Sequence, residues 1–271
     1  MGKLALRLVV SVASIPSCRT MASTSSHLHS IAQKAAVAQL RSTSSKLTNL
    51  LDIAKCCGWA RASGSSMIFL PECCGFMGES GEDSIKQSEP PVETDTAKNS
   101  PSVTLALKNM VASPSSCVDT EVSDSDADRV SLLDGMKTIA RESNMWISCG
   151  GLHVAGAPPA ITDDKTSPRN YNMHIVLDNN GELKAVYKKI HLFDVSIPGK
   201  VDLRESARTA PGNELVVCDS PLGRYANGTV ERIDDGENSL TTRTFFRFIG
   251  QVVLDCQRAT TFDFQKCTWS L

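Results

Sequence analysis

Two strand-like runs joined by an Asn-Gly turn constrain the fold of this chain more than any other feature. Ile175–Leu177 and Leu183–Tyr187 are rich in apolar residues, and Asn179–Gly181 lies between them. Asn-Gly between two such runs is a strong signal for a β-hairpin. The second strand therefore ends by placing Lys188 and Lys189 in a loop. A lysine there can act as a fixed cation beside a reacting centre, or it can cap a sheet edge in water.

The start of the ordered region predicts a β-α-β unit. Residues 35–40 are typical of a short buried strand, and leucines then recur at helical spacing behind the N-cap candidates of residues 42–45. We expect this helix to end within residues 58–64, where glycines accumulate. The apolar strand Met67–Glu72 follows and ends in a carboxylate. Reactive groups converge at strand ends in layered α/β folds, so Glu72 is either a catalytic candidate or a loop residue facing water.

The segment around the lysine pair contains the most specific motif. From Tyr187 to Ser206 it reads Tyr-Lys-Lys-Ile-His-Leu-Phe-Asp-Val-Ser-Ile-Pro-Gly-Lys-Val-Asp-Leu-Arg-Glu-Ser, which resembles the Nit branch of the carbon–nitrogen hydrolase (nitrilase) superfamily. Phe-Leu-Pro-Glu, ending at Glu72, is similar to the segment that contains the general base of that family. The resemblance implies that Lys189 is catalytic and that Glu205 is a second acidic site residue. It also implies an α/β fold, the N-terminal part of an α-β-β-α sandwich.

The expected chemistry is hydrolysis of a small linear amide. In the family, a cysteine thiolate attacks the amide carbonyl, and the residues matching Glu72 and Lys189 accept the proton and stabilise the oxyanion. Glu205 would orient the substrate nitrogen or help to hold Lys189. Gly-Gly-Leu-His, ending at His153, is similar to the Nit members whose substrate is deaminated glutathione, rather than to the ω-amidase members. His153 is either a substrate contact or a structural histidine.

The chain departs from the family pattern at the nucleophile. After Pro221–Tyr225 the family continues into a Cys-Tyr-Asp elbow, whereas residues 226–236 contain no cysteine. Cys73, beside Glu72, is the remaining alternative, because Cys218 precedes the turn and the last two cysteines stand in an unrelated setting. We therefore expect the chain as printed to be inactive.

The domain organisation follows from this departure. A partial hydrolase domain is expected over residues 34–225, followed by a non-family tail, 226–271, that resembles intron read-through or a frameshift and leaves the sandwich incomplete. Residues 82–128 are rich in Ser, Pro, Thr, Asp and Glu, which predicts a mobile surface insertion. A helix is then expected from Val130, capped by the acidic run 124–128.

Residues 1–33 are typical of a targeting or disordered segment. The first 51 residues contain no Asp or Glu but several Lys and Arg among many serines and alanines. This composition favours a mitochondrial or plastid transit peptide over a secretory signal, because Arg7 interrupts the apolar run. If Met21 is the working start, cytoplasmic residence is expected instead.

The net charge and the cysteine spacing limit the kinds of binding partner that we expect. The net charge of -2 gives no reason to expect nucleic acid, and no apolar run is long enough to span a membrane. The ten cysteines include no C-x-x-C, so no metal site is predicted. No cofactor is implied either. The expected partner is a small-molecule amide, and the family resemblance leaves a homo-oligomer open.

Overall fold

A six-stranded mixed sheet organises the part of the chain that this computed structural model describes, residues 9–15, 33–94, 96–115, 121–162, 165–199 and 201–227. Its strands follow one another in chain order: β1 (Val9–Ile15), β2 (Gln33–Gln39), β3 (Met67–Phe69), β4 (Trp146–Thr162), β5 (Lys165–Leu177) and β6 (Leu183–Lys188). The pairs β2–β3 and β3–β4 are parallel, and the other three are antiparallel. Two smaller antiparallel pairs are β7 (Asp194–Ile197) with β8 (Val201–Arg204), and β9 (Val216–Ser220) with β10 (Gly223–Asn227).

Three helices pack against one another and against this sheet: α1 (Lys46–Ala62), α3 (Pro101–Ala112) and α5 (Leu132–Ser143). Their buried side chains share one core with alternate strand residues, including Leu50, Ile53, Leu107, Met136, Ile139, Ile68, Ile147 and Ile175. Each such side chain stabilises the fold by about 1.5–3 kcal/mol through removal of apolar surface from water. The predicted α/β class is confirmed. This helix-on-sheet arrangement corresponds to the first half of the expected sandwich, and the described residues contain no second sheet of similar size.

The predicted hairpin is confirmed. β5 and β6 pair antiparallel, with Ile175 opposite Val186. In the turn, the Asp178 carboxylate accepts hydrogen bonds from the backbone N–H groups of Asn180 and Glu182, at 2.8 and 2.9 Å. Gly181 has φ +72°, a conformation that glycine adopts without strain. β6 ends at Lys188, one residue later than predicted, so Lys188 closes the strand and only Lys189 follows it.

Residues 82–128 differ from the predicted mobile insertion. They contain α3 and the short helix α4 (Asp124–Ala127), and they continue the short helix α2 (Gly81–Lys86). Val103, Leu107 and Val111 lie on one side of α3 and are buried. The Ser100 side chain caps α3 by accepting from the Val103 N–H, and Pro101 is the first residue of the helix. Ser100 and Pro101, which contribute to the low-complexity composition, thus form the start of a helix here. Positions 95 and 116–120 lie outside the described residues.

The expected cap of the next helix is also wrong. The Ser131 hydroxyl, rather than the acidic run 124–128, caps α5 by accepting from the Asp134 N–H at 3.2 Å. The acidic run forms α4 instead, with Ser123 as its own N-cap. A hydroxyl one residue before the helix reaches the unpaired N–H groups directly, whereas the more distant carboxylates do not.

The two ends of the chain are described only in part. β1 lies within the segment 1–33 that is expected to be targeting or disordered, and it pairs antiparallel with β2. Residues 1–8 and 16–32 lie outside the described residues, so the targeting function stays a prediction. In the predicted tail, Ala226 and Asn227 end β10, and residues 228–271 lie outside the described residues. No helix in the described ranges is long and apolar enough to cross a bilayer.

Candidate active site

The structure brings the three predicted catalytic residues together. Lys189 Nζ lies 2.9 Å from Glu72 Oε1 and 2.9 Å from Glu205 Oε2. Lys189 is 117 positions from Glu72 and 16 positions from Glu205 in the chain, so the fold brings them into contact. The arrangement is a lysine ammonium held between two carboxylates.

Glu72 reaches this site because a glycine pair in β4 leaves room for its segment. After β3 ends at Phe69, the Leu70 N–H still donates to Ser148 O of β4, at 3.0 Å. A Cβ on Gly150 would lie only 1.8 Å from Pro71 O, so a side chain there would displace the backbone that precedes Glu72. The Gly-Gly pair noted in the sequence therefore serves a close backbone approach.

Lys189 is fixed by its backbone. Its N–H donates to Asn172 O of β5, and its carbonyl accepts from the Gly212 N–H, both at 2.8 Å. Only 8% of the residue is exposed. Burial lowers the pKa of Lys189, but its hydrogen bonds to Glu72 and Glu205 outweigh that effect, and the net result is a raised pKa. The ammonium is therefore charged at neutral pH.

Glu205 is positioned by the hairpin β7–β8, which returns the chain to Phe193. Glu205 begins a short 3-10 helix, Glu205–Ala207, and its N–H donates to Phe193 O at 3.2 Å. In return, the Phe193 N–H donates to Glu205 Oε2 at 2.7 Å. The Asp194 carboxylate accepts from the N–H and hydroxyl of Ser206, which fixes the same turn from the other side.

Asn172 is the site residue that sequence reasoning missed. It is 3% exposed, and its side-chain amide donates to Glu72 Oε1 at 2.6 Å and to Glu205 Oε1 at 3.3 Å. The signal in the sequence was an asparagine on the strand just before the lysine hairpin. Asparagine is depleted in strands, so one buried there needs polar partners.

The two carboxylates differ in how fully they are bonded. Both oxygens of Glu205 accept hydrogen bonds, from Asn172, Lys189 and the Phe193 N–H. Glu72 accepts on Oε1 alone, and its Oε2 has no donor among the described residues. The Glu72 side chain is also more exposed, 40% against 16%. Glu72 is therefore the carboxylate with an oxygen available to a reacting group.

His153 lies close enough to this cluster to interact with its charges. It is half-buried, and burial lowers its pKa more than the nearby Glu205 and Glu72 carboxylates raise it. The imidazole is therefore neutral at physiological pH. This state fits either of the two roles predicted for His153, substrate contact or structural histidine.

The family is decided by comparison with known proteins. Residues 34–247 match the carbon-nitrogen hydrolase family. The chain belongs to this family. The matched range ends beyond Tyr225, where the motifs that resemble the Nit branch end.

Relatives of this carbon-nitrogen hydrolase include proteins named deaminated glutathione amidase. The one from Bos taurus is 31% identical over 211 residues, which are 78% of this chain and 50% of that protein. The one from Dictyostelium discoideum is 43% identical over 94 residues, 34% of this chain and 30% of that protein. The crystal structure of the C. elegans NitFhit protein aligns with 70% of this chain and 36% of its own, at 28% identity and a TM-score of 0.43. The chain thus spans half or less of the length of these relatives.

The nucleophile of a carbon-nitrogen hydrolase has one alternative in the site. Cys73 follows Glu72, has φ +55°, and interacts electrostatically with Glu72, Lys189 and Glu205. Burial, followed by the Glu72 charge, raises the pKa of its thiol to about 12. At neutral pH this thiol is therefore protonated, and the thiolate is the reactive form. Cys73 is therefore poorly suited to replace an elbow cysteine.

Proposed function

We propose that this site is built for the hydrolysis of a small linear amide, with deaminated glutathione or another ω-amide as the substrate class. The observation that supports it best is the Lys189 ammonium between two carboxylates, of which Glu72 has one oxygen without a donor among the described residues. The names of the relatives, deaminated glutathione amidase, point to the same substrate class.

In the proposed reaction, a cysteine sulfur attacks the amide carbonyl while Glu72 Oε2 accepts the thiol proton. Lys189 stabilises the negative charge that develops on the carbonyl oxygen. Glu72 then returns the proton to the leaving nitrogen, ammonia departs, and a thioester remains. Water, deprotonated by Glu72, cleaves the thioester to the carboxylic acid and regenerates the thiol. Because every acceptor oxygen of Glu205 is occupied, its role is to hold Lys189 rather than to exchange protons.

We propose further that the chain as printed does not complete this reaction. No cysteine occupies residues 226–236, where the family places its nucleophile, and the raised pKa of Cys73 keeps that thiol protonated. The protein therefore provides the acid–base and electrostatic parts of an amidase site without its sulfur.

The test is ammonia release by the purified protein from deaminated glutathione and from a simple ω-amide. We expect no release above that of a Glu72→Gln variant, which has the same shape but no base. Release that disappears in both Glu72→Gln and Cys73→Ser would show that Cys73 is the nucleophile and would refute the proposed inactivity.

A second candidate is a non-catalytic partner of an intact homologue. Three large apolar side chains in the segment that leads to Glu205 favour it, because they are 46–47% exposed. They are Phe193, Ile197 and Leu203. A gene-model artefact is the remaining alternative. Sequencing the transcript downstream of Tyr225 separates these readings, because a recovered Cys-Tyr-Asp elbow supports the amidase, and the printed tail supports the non-catalytic protein.

A further inference from the structure

We infer that Asn172 is the positioning residue of this site, fixing Glu72 so that Oε2 faces the reacting group, and that Gly151 is required for it to do so. The catalytic role of this orientation rests on the proposed function. The hydrogen bonds that produce the orientation do not depend on it.

Asn172 contacts all three charged residues. Its side-chain amide donates to Glu72 Oε1 at 2.6 Å and to Glu205 Oε1 at 3.3 Å. Its backbone carbonyl accepts from the Lys189 N–H at 2.8 Å. One residue of β5 therefore sets the position of the base, of the second acid and of the ammonium between them.

The orientation of the Asn172 amide is defined by its partners. Carboxylate oxygens only accept hydrogen bonds, so the NH₂ group must face Glu72 and Glu205, and the amide oxygen must point away. It points toward β4, where a Cβ on Gly151 would lie 2.2 Å from Asn172 Oδ1. Any side chain at position 151 would thus push the amide out of its bonding position.

The consequence for Glu72 is a difference between its two oxygens. Oε1 accepts from both Asn172 and Lys189, and Oε2 has no donor within the described part of the chain. Without the Asn172 bond, the carboxylate could rotate and exchange its oxygens. Asn172 thereby keeps one defined oxygen available for proton transfer.

Asn170 provides a matched control, two positions earlier on the same strand. It is also buried, at 2% exposure, and its amide bonds the Ser84 carbonyl, the Ser88 hydroxyl and Thr209. None of the three charged site residues is among its partners. Replacing either asparagine by leucine removes buried hydrogen bonds of similar number, but only Asn172→Leu affects the charged cluster.

The experiment is competitive acetylation of the full-length protein, with Lys189 measured by mass spectrometry against Lys98, whose side chain is 74% exposed. In Asn172→Leu we expect Lys189 labelling relative to Lys98 to rise about tenfold, because the loosened carboxylates bind the ammonium less tightly. The midpoint of the labelling-versus-pH curve should fall as well. Asn170→Leu should remain within about twofold of the wild type.

Two further variants keep the test decisive if Asn172→Leu does not fold. Gly151→Ala should increase Lys189 labelling in the same direction. Asn172→Asp adds a third carboxylate to the cluster, so it should raise the pKa of Lys189 and lower its labelling below that of the wild type. Combining Asn172→Asp with Glu72→Gln restores two carboxylates with the donor and acceptor exchanged, and should return the labelling toward the wild-type level. Equal labelling in Asn172→Leu and wild type, or no rescue in the double variant, would overturn the inference. Labelling involves no turnover, so a negative ammonia assay leaves this result unaffected.

Discussion

Two lysine–glutamate contacts in this molecule are similar in distance and differ in burial and in hydrogen bonding. Lys46 Nζ lies 2.6 Å from Glu89 Oε1, and Lys189 Nζ lies 2.9 Å from Glu72 Oε1. Glu89 is 3% exposed, and its second oxygen accepts from the Leu132 N–H and the Ser131 hydroxyl at the start of α5. Every acceptor of Glu89 is therefore bonded, and one cation balances one anion.

The Lys189 cluster is unbalanced by comparison. One ammonium faces two carboxylates, and one oxygen of Glu72 has no donor among the described residues. Buried charge alone therefore does not mark a functional site. The Lys46–Glu89 pair, in which every acceptor is bonded, joins α1, α5 and β4. In the Lys189 cluster, the proposed function uses the Glu72 oxygen that has no donor among the described residues.

The largest expected effect is a difference in how much each contact contributes to the free energy of unfolding. Glu89→Leu leaves Lys46 without a counter-charge and the Leu132 N–H without an acceptor, so we expect a loss of about 3–5 kcal/mol in the free energy of unfolding. Glu72→Leu should cost about 1 kcal/mol or less, because Glu72 is partly exposed and Lys189 keeps Glu205. Urea denaturation measures both. Equal losses would remove the distinction between a structural and a functional pair.

The next effect is a shift in thiol reactivity beside the cluster. Because burial and the Glu72 charge raise the pKa of Cys73 to about 12, its alkylation by iodoacetamide should keep accelerating up to that pH. In Glu72→Gln the negative charge is gone, so the midpoint should move to lower pH. Mass spectrometry of the Cys73 peptide follows the rate. A wild-type midpoint at 9, the ordinary value for a thiol, would contradict the described environment.

The smallest effect is a pH dependence at the alkaline end. The pKa of Lys189 in the folded protein lies above the unfolded value of 10.5, so its ion pairs stabilise the fold fully below pH 10.5. That contribution is lost as the pH rises through the higher folded value. The unfolding free energy of wild type should therefore fall toward that of Lys189→Met above pH 10.5. A constant difference between the two proteins across this range would argue against the raised pKa.

Much of the site could be predicted because its residues stand at recognisable places in the sequence. The Asn-Gly turn predicts the hairpin whose second strand leads to Lys189. The apolar strand before Glu72 predicts that this carboxylate lies at a strand end. Asn172 was missed because its role arises only when β4, β5 and the two loops meet. An asparagine within a strand predicts a need for polar partners, but no local sequence pattern indicates that these partners are two carboxylates.

The order within residues 82–128 was missed for a different reason. Its serines and prolines lower the average hydrophobicity, although Ser100 and Pro101 start α3 and three apolar residues on one side of it are buried. The average composition combines polar helix-start residues with buried apolar ones, so it does not reveal a short amphipathic helix. Glu89, in the same stretch, is buried only because Lys46 and the start of α5 lie beside it.

The most direct test of the account is nuclear magnetic resonance of the Lys189 ammonium in the full-length protein. Hydrogen-bond couplings from ¹⁵Nζ to the carboxyl carbons of Glu72 and Glu205 report both contacts in solution. We predict both couplings at neutral pH, with one lost in Glu72→Leu and the other in Glu205→Leu, because leucine has no acceptor oxygen. An ammonium that shows neither coupling and exchanges its protons as fast as that of Lys98 would contradict the shared site.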